Sequence, residues 1–302
     1  MSYDLGTKQL LKYDDAPESS YGEIIAVPDW ELVGVVTGGS AQAQTDMRHV
    51  YGIGSKSSQA QYPTSVDNSM RANIFAPTAD IINLGIPSGG ELSSYNFLIG
   101  ADDEANSHVW RGVGLKVDTM TLEADPDNPL ALSMEGIFQA LIAQTFDGAH
   151  GYAPDTPHIW RFDGLTLTVG EVEDTEKVRL SINVRNNLQR KGMTTVDNGE
   201  DDRYRVCQYL REGDLEIEAT VGTWDIPGID LEDETYGCSN ALELEAVFVD
   251  LCDTSSVVET LTITLGDGNY ISHDNPLAPN DYPEYSYVMK FGSITVEQTC
   301  TS

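Results

Sequence analysis

Hydrophobic and polar residues alternate with a period of two along most of the chain. Met70, Ala72 and Ile74 alternate with Ser69, Arg71 and Asn73, and Leu115, Val117 and Thr119 with Lys116 and Asp118. Leu165, Leu167 and Val169 alternate with Thr166 and Thr168, and Val178, Leu180, Ile182 and Val184 with Arg179, Ser181, Asn183 and Arg185. Leu215, Ile217 and Ala219 stand against Glu216 and Glu218, and Leu242, Leu244, Ala246 and Phe248 against Glu243 and Glu245. Such alternation predicts strands with one face on a core and the other in water. The clusters DPDNP at 125–129 and LGDGN at 265–269 read as turns between strands. One segment, TADIINLG at 78–85, reads as a short helix with Thr78 as N-cap and Gly85 as C-cap.

The strand pattern repeats. DNPLA occurs at 127–131 and again at 274–278, an offset of 147 residues. At the same offset Gln61-Tyr62 falls on Gln208-Tyr209, Asp67 on Asp214, and Met70, Ala72 and Ile74 on Ile217, Ala219 and Val221. The apolar face of a strand is thus reproduced in phase. This predicts two β-rich units, 1–150 (with an N-terminal arm, 1–20) and 151–302, joined by the Gly/Pro-rich stretch 146–158. Each unit carries a long polar insertion, 37–68 in the first and 187–213 in the second. Both read as loops long enough to serve a function. The tyrosines inside them, Tyr51, Tyr62, Tyr204 and Tyr209, point to packing against another subunit or ring.

Charge narrows the function. The 302 residues include 49 acidic and 17 basic ones, a formal net charge of −32. Ten of the basic residues are Arg and seven are Lys. Gripping a phosphate backbone needs clustered Lys and Arg, so nucleic-acid binding is excluded as the main role. At ordinary salt so acidic a surface repels itself, whereas the Debye length falls to about 3 Å at 1 M. The composition therefore fits adaptation to molar salt, or a surface built to repel another polyanion. No window approaches the length of apolar sequence that a membrane-spanning helix needs, and the first residues lack the layout of a secretory signal.

Catalytic and metal signatures are missing. Cys207, Cys238, Cys252 and Cys300 form no CxxC pair, so a zinc site has no support; reduced thiols are expected, with one or two disulfides left open. GIGSKSS at 52–58 lacks the spacing of a phosphate loop. His49, His108, His150, His158 and His273 fall in no ligand or acid–base spacing, and no GxSxG elbow exists. Asp/Asn/Gly turns lack the EF-hand pattern and read as structural. No enzyme, cofactor or metal is expected. A carboxylate-pair hydrolase would need two acids facing each other across a cleft.

One resemblance ties these features together. ESSYGE at 18–23 is followed by WELVGVV, a polar loop with YGIGSK, SVDNSMRANIF, the short helix, GLKVDTMTL and PLALSMEGIFQ. The second half has WRFDGLTLTV, LSINVRNNLQRKG, EGDLEIEATV and EYSYVMKFGSITVEQ. This order resembles the tail tube proteins of viruses with long, flexible, non-contractile tails, and the acidity suggests a virus of a halophilic archaeon. The resemblance implies a mainly β fold of two tandem antiparallel β-sandwich or barrel units with a short flanking helix. It further implies sheets joined between subunits into an inner barrel, rings stacked into a tube, and a virion location after assembly in the host cytoplasm. Other tail proteins would cap the tube ends, and viral DNA would pass without specific binding. Six domains around the lumen would need three copies of a duplicated chain, or six of an unduplicated one. Glu216, Glu218, Glu243 and Glu245 are candidates for a phosphate-repelling lumen wall, or alternatively for outward faces in brine. The second half has no obvious counterpart of the helix; GTWDIPGIDLEDETYG stands in its place. A tandem β adhesin or carbohydrate-binding module of a viral fibre is the alternative function.

Overall fold

A computed structural model describes residues 8–26, 28–33, 35–51, 58–102, 108–144, 159–169, 172–192, 207–211, 215–224, 242–250, 258–274 and 285–301. The fold is mainly β and antiparallel, as the alternation predicts. The first half contains β1 (Lys8–Asp14), β2 (Trp30–Leu32), β3 (Val35–Tyr51), β4 (Ser58–Phe75), the helix α1 (Ala79–Asn83), β5 (Tyr95–Asp102), β6 (His108–Asp125), β7 (Asn128–Phe138) and β8 (Ala140–Gln144). The second contains β9 (Trp160–Val169), β10 (Val172–Asp174), β11 (Lys177–Arg185), β12 (Leu188–Gly192), β13 (Cys207–Arg211), β14 (Glu216–Thr223), β15 (Leu242–Asp250), β16 (Val258–Asp274), β17 (Tyr285–Phe291) and β18 (Ser293–Thr301). Sixteen strands form one sheet, and β12 pairs with β13 separately.

The two halves share a strand order. In the first, β3-β4-β7-β6 and β2-β1-β5-β6 meet at β6, which also pairs with β8. In the second, β11-β14-β17-β16 and β10-β9-β15-β16 meet at β16, which also pairs with β18. Both central strands are long because each serves two arms of the sheet. Each is redirected between them by a residue with positive φ, Gly114 (74°) in β6 and Asp267 (57°) in β16. A left-handed residue within a strand breaks the pleat and re-aims the chain. LGDGN is therefore a kink inside one continuous strand rather than a turn between two. DPDNP is the expected turn between β6 and β7, where Asp125 Oδ1 accepts hydrogen bonds from the amides of Asp127 and Asn128, both at 2.8 Å.

The inward residues of all four arms belong to one hydrophobic cluster. Met70, Ala72, Ile74, Leu180, Ile182, Val184, Ile217, Ala219, Val221, Leu244, Ala246 and Phe248 are all buried in it. One strand departs from its expected phase. After Val117 the inward positions become Met120, Leu122 and Ala124, and Thr119 faces outward. The cause is a bulge, seen as the register shift between Val117 and Thr119. The bulge turns Asp118 outward to the start of the second half. Its carbonyl accepts from the Asn186 amide (2.7 Å) and its carboxylate from the Leu188 amide (2.8 Å).

Thr78 caps α1 as expected, its hydroxyl accepting from the Ile81 amide at 3.4 Å. The helix closes at Leu84 in right-handed conformation, not at a left-handed Gly85. Gly85 is needed for a different reason: a Cβ there would lie 2.7 Å from Met120 Sδ.

Asp174, the last residue of β10, is 2% exposed. Its Oδ1 accepts from Thr223 Oγ1 and the Glu176 amide, both at 3.0 Å, while its Oδ2 has no hydrogen-bond partner. Burial raises its pKa above the ordinary aspartate value. The native state then holds the proton more tightly than the unfolded chain. This residue's contribution to stability therefore grows as pH falls through its folded pKa toward 3.8 and is lost as pH rises again. Asp174→Asn keeps the Oδ1 acceptor and removes the buried charge. We expect it to flatten that part of the pH–stability curve and to raise Tm at pH 7 by about 2–4 °C, corresponding to roughly 1 kcal/mol. A lower Tm at pH 7 would refute this account of Asp174.

Candidate functional site

The feature that organises the molecule is the seam between its halves. The outer edge of β6 pairs with β11 in the register Leu180↔Ala124, Ile182↔Leu122 and Val184↔Met120. This fuses the two four-stranded arms into a continuous run, β3-β4-β7-β6-β11-β14-β17-β16. Side chains reinforce the seam. Thr121 Oγ1 donates to Asn183 Oδ1 (3.3 Å), and the buried Asn186 amide donates to Gly85 O (2.8 Å) and Val117 O (3.0 Å). The α1 segment straps across it. Pro77 O accepts from Trp160 Nε1 (2.9 Å), Gln298 Oε1 from the Ala79 amide (3.3 Å), and Val296 O from Asn83 Nδ2 (3.3 Å). At the two ends of the run, among the described residues, the outer edge of β3 and that of residues 269–274 of β16 pair with no strand.

The long insertions are not loops over most of their described length. Residues 43–51 pair with 58–67 as the outer part of the β3–β4 hairpin, beyond the reach of β7. The β12–β13 hairpin is its counterpart in the second half. Tyr62 lies opposite Arg48, Tyr209 opposite Arg190, and Tyr51 opposite Ser58. The Tyr–Arg register is thus repeated at the 147-residue offset of the tyrosines. Tyr204 lies outside the described residues, as do the 146–158 stretch and residues 225–241. Insertion 37–68 holds two basic and two acidic residues, and insertion 187–213 holds five of each. Both are formally neutral, so the remainder carries 10 basic and 42 acidic residues and the entire −32.

The four candidate wall acids stand on two different arms of the sheet. Glu216 and Glu218 stand on the outer face of β14, within the eight-stranded run, and Glu243 and Glu245 on the outer face of β15 in the other arm. Both strands turn their intervening residues into the same core, so the two pairs point away from it on different arms. The face bearing Glu216 and Glu218 is not a carboxylate surface either. Glu218 lies opposite Asn183 on one side and Lys290 on the other, and Glu216 opposite Arg185. Further along the run an exposed Arg71–Glu135 ion pair spans 2.5 Å. Glu123, Arg179 and Lys116 add both signs of charge to this face, amid Ser, Thr and Asn.

No family model and no curated protein matches this sequence.

The ESSYGE segment supplies a polar cluster that no sequence spacing announces. Glu18 Oε1 accepts from Asn96 Nδ2 (2.8 Å) and the Gly114 amide (2.7 Å), and Oε2 from Ser94 Oγ (2.7 Å) and the Gly22 amide (2.8 Å). Arg111 Nε donates to Asn96 Oδ1, and another of its nitrogens to Ile25 O, both at 2.7 Å. The guanidinium lies 5.5 Å from the Trp30 ring centroid. Burial lowers the Arg111 pKa, and the charges of Asp14 and Glu18 oppose that shift. The cluster ties the N-terminal segment to the β6 kink, and its carboxylate accepts four hydrogen bonds from protein groups, so it is structural. Among the described residues no group of three or more His, Cys, Asp or Glu is placed to hold a metal ion. No described helix is long and apolar enough to cross a membrane.

Proposed function

We propose that the chain is the major tail tube subunit of a virus, a non-enzymatic virion protein that forms stacked rings around a channel for DNA. In this reading the two halves arose by duplication, and three copies make a ring with six similar units. One observation carries it: two units of the same strand order are already joined edge to edge inside one chain, and among the described residues the corresponding edges at the two ends pair with no strand. A contact that joins unit one to unit two can join unit two to unit one of the next copy, and a heterologous contact that closes makes a ring. The neutral hairpin arms suit ring-to-ring contact, since strongly acidic surfaces would repel one another there. The eight-stranded face suits a channel: its mixed charges neither bind nor strongly repel phosphate. The −32 charge fits a particle that meets molar salt.

Negative-stain electron microscopy of the purified chain in molar salt tests this. We expect annular particles with three-fold averages and six lobes, or hollow tubes. Monomers at every salt and protein concentration would overturn it.

A further inference from the structure

The first half has an apolar opening whose counterpart is covered among the described residues of the second half. Behind the outer edge of β3 lies an apolar cavity of about 380 Å³, lined by Leu11, Val36, Ala41, Ile99, Trp110 and Leu141. Trp110 is 37% exposed, and Val36 and Ala41 are only half-buried. The corresponding region of the second half is closed. There Leu180, Ile182 and Val184 of β11 are at most 2% exposed, because β6 pairs with their strand and the α1 segment covers β9 and β18.

The seam supplies a register for the open edge. Ser40 lies opposite Arg71 on β4 as Asn183 lies opposite Glu218 on β14, and Arg71 and Glu218 are 147 residues apart. Ser40 is therefore the counterpart of Asn183. On the other side, Ala72 faces Met134 on β7 as Ala219 faces Met289 on β17, which makes Ser133 and Val288 counterparts. Thr121 lies opposite Ser133 and Ser272 opposite Val288, so Ser272 is the counterpart of Thr121. Asn183 pairs with Thr121 in the seam.

We propose that the β3 edge and the cavity behind it take residues 269–274 of β16 from a second copy of this chain, paired antiparallel with Ser40 opposite Ser272. The other pairs are then Gly38 with Asp274, Gly39 with His273, Ala41 with Tyr270, and Gln42 with Asn269, with Ile271 skipped at the register shift between Tyr270 and Ser272. Small residues at 38, 39 and 41 leave room for the larger ones they face. Asp274 is the only acid among these ten residues, in a chain with 49. An edge so free of like charge is what a self-pairing strand needs. The added strand would also close the mouth of the cavity, as β6 closes the corresponding region in the second half. This inference rests on the tube reading for its biological role, but its chemistry is independent of it.

The test is a paired cysteine variant, Ser40→Cys with Ser272→Cys, in the full chain in molar salt under a mild thiol oxidant. Directly opposed residues of an antiparallel pair have Cα atoms about 4.5–5.5 Å apart, within the span of a disulfide. We expect covalent two- and three-chain species on non-reducing gels, at least about ten-fold above either single variant, which report the background of the four native thiols. Ser40→Cys with Val288→Cys, one strand further in at about 10 Å, should stay at background. Rings by microscopy with background cross-linking would overturn the proposed contact and leave the tube standing. Strong cross-linking without rings at any concentration would establish the contact and refute the tube. Neither rings nor cross-links would refute both.

Discussion

Replacing Glu18 with alanine is expected to cost about 3–5 kcal/mol and to lower Tm by on the order of 10 °C or more. The reason is the number of donors that converge on one carboxylate. Asn96 is fully buried and Ser94 nearly so, and the Gly114 amide sits at the kink of β6, where φ is 74°. Removing the acceptor strands these donors away from water, and an unsatisfied buried donor costs roughly 1–3 kcal/mol. It also leaves Arg111 with one carboxylate fewer in a buried setting. Glu18→Gln should fare little better, because its amide nitrogen would face donors where an oxygen is required. The comparison variant is Glu135→Ala. It breaks the exposed Arg71–Glu135 pair, and such surface pairs contribute about 0–1 kcal/mol. Thermal melts of the three variants in one molar-salt buffer check the ranking. Equal small shifts for Glu18→Ala and Glu135→Ala would show that the cluster does not hold the N-terminal segment to β6.

How much of this was legible in the residues depended on whether a core read them. Ile182, Ile217 and Leu244 were assigned inward from alternation alone, and each is at most 1% exposed. The 147-residue offset matched Met70, Ala72 and Ile74 of β4 to Ile217, Ala219 and Val221 of β14, and these strands hold the same place in their two arms. Where no core acts, the pattern was mute. Residues 43–51 and 58–67 form strands whose pairing is with each other, so nothing forces alternation, and their Ser, Thr and Gln content reads as loop. Backbone kinks were equally hidden. Gly-Asp-Gly at 266–268 looks like a turn, yet Asp267 only redirects β16. The separation of Glu216 and Glu218 from Glu243 and Glu245 needed the sheet order, since identical Glu-apolar-Glu patterns arise on either arm. The Glu18 cluster gathers residues from 18 to 114, and no local spacing encodes contacts of that range.

Transfer from molar to 0.1 M salt is expected to destabilise the chain by several kcal/mol, visible as a Tm lower by on the order of 10 °C. The net charge of −32 is not spread evenly, because the two insertions are neutral and the remaining surface carries all of it. Outside the insertions acids outnumber bases 42 to 10, and exposed carboxylates such as Glu173 and Glu243 are among them. Each close like-charge pair costs roughly 0.2–0.5 kcal/mol when unscreened, and the Debye length grows from about 3 Å to about 10 Å over this range. Many small repulsions then add. Acidifying the low-salt sample to pH 4.5 should recover part of the loss, since carboxylates near their ordinary pKa begin to take up protons. Sucrose at matched osmolality separates the causes, because it favours burial by exclusion from the surface without screening charge. If sucrose restored Tm as fully as potassium chloride, surface repulsion would not be what salt relieves. Assembly should follow the same dependence with a sharper threshold. In the proposed ring, closure would bring acidic bodies together while the edges at 38–42 and 269–274 would contribute a single acid, so repulsion from the bodies, rather than from the contact itself, should set the salt concentration at which copies part.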